Sequence, residues 1–269
     1  MIDFKCIRIP VVIALLIVAG GLRAETIISP PDIQSVLRSG VASRFADASL
    51  VQAFYESQGF APAWSKGDMQ LVSGILQHAD TEGLDPSDYA IPAGIQGVQR
   101  EVLTTAATLS YMRDLRLGRD RLRLIDSDVA LPEQAFDAVS VLATALRSNT
   151  LATTLAAQAP PQPEYARLKV ALAFYRKIDG GGGWSVLPEA KPSDFEQGSA
   201  GAQALRHRLQ LEDASLSGSA DLTEAVKRFQ ARHGLSSDGK IGARTLAELN
   251  VAPSVREMEI VSNMERWRW

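Results

Sequence analysis

The chain has 269 residues, 46% hydrophobic and 22% charged, which excludes a mostly disordered polypeptide and leaves room for one large or two modest domains. Its 28 basic and 31 acidic residues give a net charge of -3 with no long run of like charge, so sequence-tolerant nucleic-acid binding is excluded. One cysteine, Cys6, and three histidines allow neither a disulfide framework nor a common structural zinc cluster; no metal and no cofactor is expected.

Residues 1–24 read as an export signal. Lys5 and Arg8 form a positive front, Val11–Val18 is unbroken apolar sequence, and Gly20, Gly21, Leu22 and Ala24 lead to a cleavage position. The run is shorter than the ~20 residues of a membrane-spanning helix, and Pro10 limits its backward extension. This predicts a periplasmic protein. The bulk of Leu22 keeps open an alternative, anchoring in the inner membrane through residues 9–22. Cys6 precedes the apolar run, so it is not placed for lipid attachment, and cleavage would remove the only thiol.

A series of helices follows. Pro30, Pro31 and Asp32 open the first, with Ile33, Val36 and Leu37 at helical spacing. The second surrounds Leu50, Val51, Phe54 and Tyr55 and stops at Gly59; the turn-rich stretch to Trp64 is expected to plug the core with Phe60 and Trp64. Met69–His78 predicts a third, with Leu71, Val72, Ile75 and Leu76 apolar, and Gly83–Tyr89 a Gly stop followed by a Pro-opened turn. Arg100–Gly118 predicts a long helix whose apolar residues largely hold one face. Arg113, Arg116, Arg119, Arg121 and Arg123 alternate with Asp114, Asp120, Asp126 and Asp128, which favours solvated, salt-bridged faces over a ligand patch. Asp126 and Asp128 lack the Gly and distal Glu of a calcium loop.

Phe136–Arg147, Leu151–Ala159 and Tyr165–Ile178 predict further helices. Gly180–Gly183 lacks the Lys-Ser/Thr of a phosphate loop and reads as a flexible connector, with a domain boundary near Trp184–Ser193. Three short helices complete this part. Ala202–Leu211 is the first; Asp221–His233 begins with Asp221 as N-cap and Glu224 as capping-box partner; the third carries Thr245, Leu246 and Leu249 after the Asp238-Gly239 turn and Ile241. Together they form a bundle of about 55 residues, near the lower size limit for independent folding. The expected class is all-α.

The last bundle resembles the type-1 peptidoglycan-binding domain. The residues that carry the likeness are Ala225–Leu235 (Ala-Val-Lys-Arg-Phe-Gln-Ala-Arg-His-Gly-Leu), Asp238-Gly239-Lys240-Ile241-Gly242, and Thr245–Asn250. Val226, Phe229, Leu246 and Leu249 are expected in its core, Gly239 at a positive backbone angle, and Gly242 at a close contact. Upstream, Gly59–Trp64, Gly83–Tyr89, Gly183-Trp184, and Tyr111–Arg119 as Tyr-x-x-Asp-Leu-x-x-Gly-Arg resemble the helical scaffold domain of large periplasmic L,D-transpeptidases. Asn263–Trp269 resembles the helix that leads into their catalytic domain. The implied organisation is a signal over 1–24, a scaffold domain over 30–185, a peptidoglycan-binding domain over 195–250 and a linker helix over 254–269.

In that family the catalytic domain follows this helix and carries its nucleophilic cysteine in a Ser-x-Gly-Cys run. No such run occurs in residues 1–269, and His78, His207 and His233 read as structural. The expectation is a non-catalytic, exported peptidoglycan-binding and scaffold protein, a truncated form of such an enzyme. The alternative is a murein L,D-transpeptidase completed by a longer reading frame or a separate chain. The expected partner is peptidoglycan, as glycan strand or stem peptide, through Gln230, Arg232, Asp238, Lys240 and Arg244. An apolar stripe of Ile260, Val261, Met264, Trp267 and Trp269 predicts either self-association through Met258–Trp269 or docking of that segment onto the small bundle.

Overall fold

The computed structural model describes residues 28–45, 48–119, 135–188, 195, 198–213, 215–216 and 221–269. The export signal or anchor, the charges from Asp120 to Asp128 and the boundary region around Ser193 lie outside the described residues. The fold is all-α; every regular element among the described residues is helical.

Helix α1 (Pro30–Arg38) opens with a capping box between Ser29 and Asp32 and buries Ile33. Helix α2 (Ala48–Ser57) buries Val51, Phe54 and Tyr55. Gly59 and Phe60, at φ 62° and 58°, then reverse the chain. Trp64 plugs the core and its indole N–H donates to Thr105 Oγ1 at 2.8 Å, whereas Phe60 is only half-buried. Helix α3 (Lys66–Gln77) is N-capped by Ser65. Its Leu71 is 40% exposed, which removes it from the expected apolar face. Gly83, at φ 69°, ends a 3-10 turn (Ala79–Glu82), and Asp85 caps the next (Pro86–Tyr89).

Helix α4 (Gly97–Leu117) corrects the one-faced reading. From Glu101 to Leu109 every residue is buried, because α1, α2, α3 and α5 (Ala138–Arg147) surround it. Its polar side chains are satisfied locally. The Thr104, Thr105 and Thr108 hydroxyls donate to carbonyls four residues back, and the Glu101 carboxylate accepts from the Ala63 amide at 2.6 Å and the Tyr55 hydroxyl at 3.2 Å. The interleaved charges divide. Arg119 and Asp88 form an exposed pair at 2.7 Å, but Asp114 is half-buried and accepts from the Tyr89 hydroxyl at 2.7 Å. Helix α6 (Leu151–Ala156) adds Leu151 and Leu155 to the same core.

Helix α7 (Pro163–Gly180) ends in the glycine run, which is no loose connector. Gly182 and Gly183, at φ 98° and 68°, turn Trp184 against the next helix, α8 (Ala200–Glu212). Helices α8, α9 (Leu222–Arg232) and α10 (Ala243–Leu249) enclose a second core of Leu205, Leu209, Val226, Phe229 and Leu249. Asp221 caps α9 by accepting from Thr223, but Glu224 pairs with Lys227 at 2.7 Å; no return bond from Glu224 closes a capping box. Gly242 begins α10 with open space beside it, so the close contact expected there is absent.

Helix α11 (Pro253–Arg266) runs antiparallel to α7: Pro253 lies beside Gly183, Glu257 pairs with Arg176 at 3.4 Å, and Arg268 meets the Tyr165 hydroxyl at 2.9 Å. Ile260, Val261 and Met264 pack with Tyr165, Leu168 and Leu172. The apolar stripe thus lies mainly on α7 rather than on the small bundle. Met258 and Trp267 remain 62% and 39% exposed. Arg268 is buried between Glu265, Tyr165 and the Glu82 carbonyl, and only Arg256, bound to Glu248 of α10, ties the helix to the bundle through a salt bridge among the described residues.

Candidate functional site

The small bundle bears a cavity of about 690 Å³. Leu222, Val226 and Gln230 of α9 make one wall. The turn from Leu235 to Gly242 and the first residues of α10 make the other, and Leu205 and Phe195 close the apolar end.

The turn owes its shape to Gln230. This side chain is 1% exposed and fully engaged. Its Nε2 lies 2.9 Å from Asp238 Oδ1, 3.0 Å from the Lys240 carbonyl and 3.1 Å from Thr245 Oγ1, and its Oε1 accepts from the Gly239 amide at 2.8 Å. One amide therefore fastens the turn to α9 and α10. Gly239 sits at φ 74°, and a Cβ there would fall 2.6 Å from Thr223 Cγ2. Two independent reasons thus require glycine.

Asp238 also accepts from the Lys240 amide at 2.9 Å. That bond and the Gln230 amide hold its carboxyl below the usual carboxylate range. Lys240 and Arg244 line the cavity, are exposed, and form no salt bridge among the described residues. The structure therefore brings together four of the five residues expected to bind. Arg232 is elsewhere, exposed and 3.7 Å from Asp213. Gln230 spends its hydrogen-bonding capacity on the turn and Asp238 gives it Oδ1; Lys240, whose charge also favours the Asp238 carboxylate, and Arg244 are the cations of the cavity.

The apolar wall of Phe195, Leu222 and Leu235 carries no sequence signal that separates it from core. Gln230 does: a glutamine one residue beyond Phe229, on a face with Val226, is placed where an unsatisfied amide would be costly.

Behind the cavity, His233 stacks on Phe229 with ring centres 4.2 Å apart, and its nitrogens lie 3.6 Å from Glu212 and 3.2 Å from Glu248. This environment is a structural one, as the sequence suggests. What the arrangement offers chemically is reception: an apolar wall, a rigid turn and two cations.

Two family models match the chain. Residues 49–172 match the Scaffold domain family, and residues 203–249 match the family described as a putative peptidoglycan binding domain. No curated protein matches the chain. The second match covers α9, the turn and α10, and so contains every charged residue of the cavity. Together the matches support a cell-wall-related region with peptidoglycan as partner, and an extracytoplasmic location. No helix among the described residues is long and apolar enough to cross a membrane.

Proposed function

We propose that this protein binds peptidoglycan through the cavity between α9 and α10, and that the part it receives is the stem peptide. The observation that carries this reading is the charge of the cavity. Asp238 gives its Oδ1 to the turn, and Lys240 and Arg244 form no salt bridge among the described residues, so the cavity carries two cations against one carboxylate. Stem-peptide carboxylates satisfy those cations by charge-assisted bonds, and the neighbouring apolar wall accepts aliphatic side chains; an uncharged sugar uses neither as well.

In this reading the chain is organised as a signal over 1–24, a scaffold domain over 30–185, the binding domain over 195–250 and a linker helix over 254–269. It belongs to the cell-wall side of a large L,D-transpeptidase system, exported to the periplasm. The contribution of the described residues in this reading is docking.

The test is co-sedimentation of the chain lacking residues 1–24 with insoluble peptidoglycan. Binding should weaken with salt, and a soluble stem peptide should compete while the same peptide with its carboxylates amidated should not. Lys240→Gln and Arg244→Gln should each reduce the bound fraction several-fold, and Arg232→Gln should leave it unchanged. Competition by the disaccharide alone would overturn the stem-peptide assignment. Retention in the supernatant would overturn the function.

A further inference from the structure

The helical region that precedes the small bundle holds a second cavity, of about 270 Å³, enclosed by α3, the Pro86–Tyr89 turn and the first turns of α4. Its floor is apolar: Val72 and Leu76 are 1% and 4% exposed, and the ring of Tyr89 is 1% exposed. The polar groups around this floor are mostly committed elsewhere. The Tyr89 hydroxyl donates to Asp114, the Thr104 hydroxyl to the Arg100 carbonyl, and the Ser87 amide to Asp85.

The exceptions among the described residues are Ser73, Gln77 and, as the charged one, Arg100. Arg100 is half-buried and lines the cavity, and its guanidinium makes no hydrogen bond or ion pair among the described residues. Ser73, also half-buried at the wall, is likewise unpartnered there. No aspartate or glutamate lines the cavity, so Arg100 is its one charged lining group. A planar guanidinium held beside an apolar floor, with no internal carboxylate to satisfy it, is complementary to a carboxylate on an apolar body.

We propose that this cavity is a binding site for a small apolar monocarboxylate, with Arg100 pairing the carboxylate, Ser73 offering a hydroxyl, and Val72, Leu76 and Tyr89 receiving the hydrocarbon. The volume sets the size: it lies just below the ~300–1,000 Å³ of ordinary ligand pockets, which fits a short chain or a single ring. The charge sets the class, since one guanidinium matches a monoanion and leaves a phosphate dianion short of donors. The site is separate from the peptidoglycan cavity in sequence and in lining residues, so neither proposal depends on the other.

The experiment is a titration of the chain lacking residues 1–24 with hexanoate, followed by amide and methyl NMR, with hexanamide as the neutral control. Hexanoate should shift the resonances of Val72, Leu76 and Ile91 in a saturable way, and hexanamide should bind at least tenfold more weakly. Arg100→Gln should abolish the preference for hexanoate without lowering the melting temperature, because Arg100 has no internal partner to lose. Arg116→Gln, on the same helix and outside the cavity, should bind as the parent does. Ser73→Leu, which fills the wall, should block both ligands. Equal binding of hexanoate and hexanamide, shifts confined to α9 and α10, or an unaltered Arg100→Gln titration would each overturn the proposal. Sedimentation with peptidoglycan should be unaffected by Arg100→Gln, which keeps this outcome distinct from that of the small bundle.

Discussion

The Arg208 guanidinium lies 3.5 Å from the centre of the Trp184 ring, so a residue of α8 is stacked on the residue that ends the glycine run after α7. The same guanidinium donates from Nε to the Leu249 carbonyl at 2.8 Å and faces Glu212 at 3.3 Å, and Glu212 in turn accepts from the Tyr175 hydroxyl of α7 at 3.1 Å. A single buried cation therefore joins α7, α8 and α10. Removing it leaves the Glu212 carboxylate, 3% exposed, without its principal counter-ion. Arg208→Met should cost roughly 3–5 kcal/mol in urea unfolding, the usual range for breaking a buried pair. Arg208→Lys should recover only part of this, because an ammonium cannot both stack flat on the indole and reach two acceptors.

Acid should loosen the same joint. Burial by itself pushes the Glu212 carboxyl up, but the His233 ring, 3.6 Å away, and the charge of Arg208 outweigh it and bring the value down from 4.5 to about 2. A depressed folded-state value contributes stability that is complete above the unfolded value near 4.5 and is lost as pH falls through that value toward about 2. The shift corresponds to about 3 kcal/mol. The stability difference between the parent and Glu212→Gln should therefore be largest at neutral pH and shrink across this window. Glu101 behaves in the opposite sense: burial raises its carboxyl above 4.5, so its contribution is present below that value and lost as pH rises through the raised one. Glu101→Gln keeps an acceptor for Ala63 and should raise stability at neutral pH. Denaturation midpoints from pH 2 to 8 check both signs.

Gly239→Ala should destabilise the small bundle by about 1–3 kcal/mol, since alanine is strained at a positive φ and its methyl meets Thr223 Cγ2 at 2.6 Å. Thr223→Ser in the same chain should return part of the loss by removing the obstructing methyl. A non-additive double-mutant cycle by thermal unfolding is the expected signature; simple additivity would mean that the clash is relieved elsewhere.

Gly118 supports the far end of α11. It sits at φ 80°, and a Cβ there would lie 2.5 Å from Glu265 Oε1 and 2.8 Å from the Trp269 indole nitrogen. Gly118→Ala should push this end off the helical region. Red-shifted tryptophan emission and faster amide exchange over residues 264–269 are expected, with little change at α9 and α10. An unshifted spectrum with intact exchange protection would show that the neighbours absorb the methyl.

The helices were legible because their signals are local. Pro30, Asp221, Gly83 and Gly234 sit at or beside helix ends in the sequence and in the structure, whereas the Ser65 cap, which starts α3 three residues before the expected Met69, went unread. Destinations were not. A run such as Glu101–Leu109 gives the same periodicity whether one side or all sides are covered, and threonines that bond their own helix look polar while being buried. Likewise, the stripe of α11 announces that it must be covered but not by what; α7, almost a hundred residues earlier, supplies the answer. At the candidate site Lys240 and Arg244 were found as charges beside a turn, whereas the role of Gln230 depends on four partners spread from Asp238 to Thr245.

That glutamine bears on how fast a ligand is exchanged. Because the Gln230 amide already holds the turn in place, the rim between Asp238 and Lys240 needs no rearrangement on encounter, and no loop-ordering entropy is charged to the complex. Association should then proceed at a similar rate for all ligands of like charge, and discrimination among them should be carried by residence time. A wall-binding module built this way samples many sites quickly and lingers only where the fit is good.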